Sequence, residues 1–161
     1  MATSFHTLQR HAPRSGAQSV RHDSLREGAA LGLVVATATW LWLALVDAVA
    51  GDPFLTFTVF GGIIAFTLVH YLLNVAYGAA IMAGVHGAVR APSLIFGIGF
   101  GFLMLEFAFA LLSAALWHSP LGSLAFLRIF GGSVIGAAVA FTVIMRHHPL
   151  AALLHQAEEE T

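Results

Sequence analysis

Two ionisable side chains lie deep inside long apolar stretches of this chain. His70 falls in a segment, Pro53 to Val89, that carries no formal charge, and Glu106 is the lone charged residue between Arg90 and Arg128. Ionisable groups at membrane depth are costly to place and point to a function. Three kinds of chemistry suit these residue types. They can hydrogen-bond to one another and fix helix register. His70 can ligate a metal, a haem or a chlorophyll-type pigment. Glu106 can move a proton or an ion. Helical spacing places Asn74 and Tyr77 at i+4 and i+7 from His70, and Ser113 at i+7 from Glu106. Counted from the nearest helix ends, the two ionisable residues match in depth within about 5 Å. A polar seam of His70, Glu106, Asn74, Tyr77 and Ser113 is therefore expected, facing the interior, with His70 and Glu106 in direct or water-bridged contact.

Other chemistries are poorly supplied. A bis-His haem needs two histidines at one depth, and only His70 is mid-span. His86, His147 and His148 fall at one edge and His118 at the other. His86 with His147 or His148 would make an edge metal site, although histidines there commonly serve as solvated anchors. A di-iron bundle wants several Glu and a Glu-x-x-His pattern, which a single buried Glu does not provide. There is no cysteine, so disulfides, thiolate metal sites, Cys nucleophiles and c-type haem attachment are excluded. Gly97-x-Gly99-x-Gly101 has the spacing of a nucleotide loop but lacks a preceding strand. The sequence specifies no catalytic residue and no particular cofactor.

The elements that must position these residues are membrane helices. The 161 residues are 58% hydrophobic and 9% charged, with mean hydropathy +0.85, whereas soluble domains carry about 25% charged residues. A bilayer core takes about 20 mostly apolar residues per helix. Four such helices are predicted, near 26–49, 62–86, 93–117 and 124–146, separated by Gly51-Asp52-Pro53, by residues 87–92 and by His118-Ser119-Pro120-Leu121-Gly122. Residues 53–60 read either as a short interfacial segment or as the first turns of the second helix, with a break at Gly61-Gly62. Ser24-x-x-Glu27 has the form of a capping box at the start of the first helix. The expected fold is all-α, a four-transmembrane-helix bundle. Residues 1–23 form a polar Arg-rich tail, 24–149 the membrane domain and 150–161 an acidic tail. The N-terminal segment does not read as a cleavable signal, because the apolar run behind it is too long. Arg10, Arg14, Arg21, Arg26, Arg90 and Arg146 all fall on one side, which puts both termini in the cytoplasm by the positive-inside rule. Arg128 is the exception. It lies near the outer end of its helix, as does Asp47, so the two are an outer ion-pair candidate.

Small residues mark packing faces, since close backbone approach drives helix association in lipid. Gly97 and Gly101 form one seam and Gly132, Gly136 and Ala140 another. Each seam is expected to hold the bundle, the alternative being that one docks a partner protein. The thirteen Phe are expected to face lipid or a partner.

Several stretches resemble a family of small uncharacterised four-helix bacterial integral membrane proteins. They are Leu25-Arg26-Glu27-Gly28, the run from Val46 to Phe54, the His of the second helix, Leu105-Glu106-Phe107, and Arg146-His147-His148-Pro149-Leu150. The resemblance covers most of residues 24–150. It departs at Thr56-Phe57, where Thr-Pro is expected, and in the fourth helix, where an Asn is expected. It implies the four-helix topology and a shared His70–Glu106 pair, and implies no catalytic activity.

Residues and resemblance together lead to one expectation. The chain is a non-catalytic accessory subunit of a larger membrane complex, energy-transducing in the photosynthetic or respiratory sense, in the bacterial inner membrane. Its partners are lipid and other integral membrane subunits. A net charge of −1 offers no general attraction to nucleic acid. The alternatives are a haem-, metal- or pigment-binding protein using His70, and a small transporter or channel using Glu106.

Overall fold

The computed structural model describes residues 16–88 and 93–147. Among them the chain is helical: α1 (Gly16–Val49), α2 (Leu55–Val59), α3 (Ile63–Ala88), α4 (Ser93–Ala115) and α5 (Ala125–His147), with short 3-10 turns at Leu116–His118 and Gly122–Leu124. Four helices are long and apolar enough to cross a membrane: Leu25–Val49, Ile63–Ala88, Gly97–His118 and Gly122–His147. At 1.5 Å per residue each exceeds the roughly 30 Å of a hydrocarbon core. The architecture is that of a multi-pass membrane protein.

The spans match the sequence reading closely, with two differences. Helix α1 begins at Gly16, so Ser24 lies inside it and the Ser24–Glu27 box does not cap its start. Residues 16–23 of the Arg-rich segment are helical too. Residues 55–59 form a separate short helix and are not the first turns of α3. Gly61 and Gly62 have φ of +99° and +96°, a backbone that a side chain would strain, and this break separates α2 from α3. Arg90, His148 and the acidic C-terminal segment lie outside the described residues.

Packing is uneven. Helix α1 is central, lying closest against α3 and also against α5, while α4 leans on α5 and more loosely on α3. The α1–α3 approach is made by glycines. A Cβ at Gly28 would stand 2.5 Å from Ala79 Cα, and Cβ atoms at Gly32 and Gly78 would collide with the backbones of Asn74 and Gly28. This is a backbone-to-backbone seam of the kind that membrane helices use in place of a hydrophobic drive.

The expected α5 seam is present. Gly132 and Gly136 receive Thr39, Trp42, Leu43 and Val35 of α1, and Ala140 joins Leu31 and Met82 in a buried cluster. The expected α4 seam is not. A Cβ at Gly97, Gly99 or Gly101 would meet nothing within 4 Å. These glycines face outward, so Gly97 and Gly101 do not hold the bundle together.

Candidate functional site

Two polar centres sit among the helices. The first lies where α1 ends. Asp47 is fully buried, and Arg128 on α5 is 2% exposed. Arg128 Nε donates to Asp47 Oδ1 at 2.7 Å, and Arg128 also donates to the carbonyl of Leu121 at 2.7 Å. The backbone N–H of Thr56 donates to Asp47 Oδ2 at 2.7 Å, and the Thr56 hydroxyl to Oδ1 at 2.8 Å. One carboxylate thus ties α1, α2 and α5 together. Neither charge is left unsatisfied, as burial requires. Thr56 carries no formal charge, and its part became visible only once α2 was separated from α3.

Aromatic rings gather around Phe57, the residue after Thr56. Phe57 is fully buried, with its ring 5.0 Å from both Trp40 and Phe66. Phe54 stacks edge-on to it at 5.7 Å. The expectation that phenylalanines face lipid or a partner is corrected at Phe57, whose ring instead holds α2 down.

The second centre is a cavity of about 470 Å³ bounded by all four long helices. Its polar wall includes His70, Asn74, Tyr77, Glu106 and Ser133, and most of the remainder is Leu, Ile and Phe. The volume and the sparse polar lining suit a small-molecule pocket, typically 300–1,000 Å³. Leu73 and Tyr77 of α3 and Leu112 of α4 line it yet remain exposed, so its mouth lies between α3 and α4.

His70 and Glu106 share this cavity but make no hydrogen bond to each other. Gly84 lies against Ile98 and Gly87 against Leu94. Carried along antiparallel helices, that register puts Glu106 level with residues near 75, about 8 Å of axial rise from His70.

Each residue has another partner. His70 Nε2 lies 3.1 Å from the carbonyl oxygen of Ala36 on α1. Its Nδ1 faces Asn74 Nδ2 at a long 3.4 Å, and Asn74 also donates to the His70 carbonyl at 2.8 Å. This arrangement suits a neutral imidazole protonated on Nε2 and bridging α3 to α1. Phe66 stacks on the ring at 5.2 Å. Glu106 Oε2 lies 2.7 Å from Ser133 Oγ of α5, whose single proton is shared with the Phe130 carbonyl at 2.8 Å. Ser133 was missed, though a hydroxyl beside the Gly132–Gly136 seam was the available signal. Ser113 is not part of the seam: it is buried and donates to the carbonyl of Phe109 in its own helix.

At the opposite end of the bundle, His86 Nε2 is 3.4 Å from Glu27. His147 and Glu27 line a smaller hollow there. Among the described residues no group of three His, Cys, Asp or Glu is arranged to hold a metal ion.

Fold and site together define a class, a multi-pass helical membrane protein with a buried ion-pair node and a sparsely polar cavity between its long helices. No family model, no curated protein and no solved structure matches the chain.

Proposed function

We propose that this protein is a non-catalytic subunit that assembles with other integral membrane proteins through the outward face of α4. The observation that supports this most directly is the unfilled glycine seam. Gly97 and Gly101 have open space where a Cβ would lie, whereas the glycines of α1, α3 and α5 are packed to the limit. Bulky apolar side chains flank the seam, with Phe100, Leu103, Met104 and Phe107 exposed. In lipid, such a face favours close packing against another helix. The Arg distribution supports an orientation with both termini cytoplasmic and the Asp47–Arg128 node at the outer side.

The test is Gly97→Leu with Gly101→Leu, compared with wild type after gentle solubilisation from native membranes. Both added side chains enter open space, so the bundle should melt as wild type does. Partner subunits that co-purify with wild type should be lost. An unchanged set of partners, or a wild-type protein that emerges alone, would remove this reading.

A further inference from the structure

We propose that the intramembrane cavity binds a lipophilic monovalent cation, with Glu106 as counter-ion and the aromatic wall as its apolar cradle. The argument begins with charge. The cavity wall includes two charged residues, Arg128 and Glu106. Arg128 is committed to Asp47 and to the Leu121 carbonyl, so that pair is neutral. Among the described residues Glu106 has one hydrogen-bond partner, the Ser133 hydroxyl, and no cation. His70 adds no positive charge in its Nε2-protonated form, because a proton on Nδ1 would point at the Asn74 amide. Among the described residues the wall therefore carries one carboxyl group with no cation paired to it.

The rest of the cavity selects the kind of cation. A hydrated metal ion would want several oxygen ligands, and only Glu106 offers a carboxylate free for it. Phe60, Phe66, Phe102, Phe109 and Tyr77 line the same space. Aromatic faces attract cations whose charge is spread over an organic frame, more strongly where water is excluded. A mouth between two helices long and apolar enough to span a membrane gives lateral access to molecules that partition into bilayers. Charge complementarity, aromatic lining and lateral access all favour an organic cation. This inference does not depend on assembly with partners.

Equilibrium dialysis of tetraphenylphosphonium against the full chain in phosphatidylcholine nanodiscs tests it, with empty nanodiscs as background. Saturable binding of one ion per cavity is expected. Glu106→Gln keeps an acceptor for Ser133 and should retain the wild-type melting temperature while losing roughly tenfold or more in affinity. Neutral triphenylmethanol, similar in shape, should compete poorly with the wild-type site. Binding no greater than to empty nanodiscs would overturn the proposal. So would a folded Glu106→Gln variant that binds as well as wild type, or equal competition by triphenylmethanol, since either would mean the cavity reads apolarity and not charge. The competition on wild type decides the matter even if the variant fails to fold.

Discussion

Arg128 Nε meets Asp47 Oδ1 at 2.7 Å across a sequence separation of 81 residues, with both side chains removed from solvent. Removing one member leaves the other as an unpaired buried charge, at a cost of about 3–5 kcal/mol. Arg128→Met and Asp47→Leu should therefore each lower the unfolding midpoint steeply. The double variant should recover part of that loss, held back by the Thr56 N–H, which would still lack its acceptor. Thermal unfolding of the four proteins in one detergent, read as a double-mutant cycle, checks this. Additive losses would argue against the pair as a unit.

Glycines of equal sequence appearance should separate into two groups. Gly32→Ala and Gly78→Ala push a methyl group into opposing backbone and should cost about 1–3 kcal/mol or more. Gly97→Ala and Gly101→Ala should be neutral or slightly stabilising in the isolated protein, as Gly in a helix interior is about 0.5–1 kcal/mol worse than Ala. Melting temperatures of the four single variants measure the contrast directly.

His70 should behave as a clamp between α3 and α1. Both ring nitrogens face protein partners, so haem added to the purified protein should give no histidine-ligated Soret band. His70→Leu should loosen the helices by about 1–3 kcal/mol, the desolvation cost of groups left unpaired. A stoichiometric haem or pigment spectrum in the wild-type protein would reassign the residue as a ligand.

Topology is open to chemical labelling, and the native chain has no cysteine to interfere. A cysteine introduced at Pro120 should react with an impermeant reagent applied from the non-cytoplasmic side. One at Gly16 should react only after the membrane is breached. Labelling of position 16 with the membrane intact would invert the arrangement.

Much of the scaffold was legible because membrane helices announce themselves by length and apolarity. The proximity of Asp47 and Arg128 was legible for a related reason: two opposite charges at the same end of apolar runs have few other places to go. The glycine seams were only half legible. Gly28-x-x-x-Gly32 carries the same motif as Gly97-x-x-x-Gly101, yet the first is crushed against α3 and the second faces outward. Spacing fixes which residues share a face, but the neighbour that the face meets depends on how the helix is turned. The same limit separated Glu106 from His70. Periodicity placed both in the interior, while their partners, Ser133 and Ala36, depended on rotation and register that a count from helix ends does not contain.

The node at Asp47 also dictates an order of manufacture. Its cation comes from α5, 81 residues further on, while its other two donors, the Thr56 N–H and hydroxyl, follow within nine residues. During synthesis the first two spans therefore emerge with a carboxylate held only by a neighbouring threonine. They stay provisional until Arg128 is made. A chain cut off before Arg128 would leave the Asp47 carboxylate with only its Thr56 donors. The ion pair can therefore close only after α5 has been made, so the node joins the earliest and a much later part of synthesis in one contact.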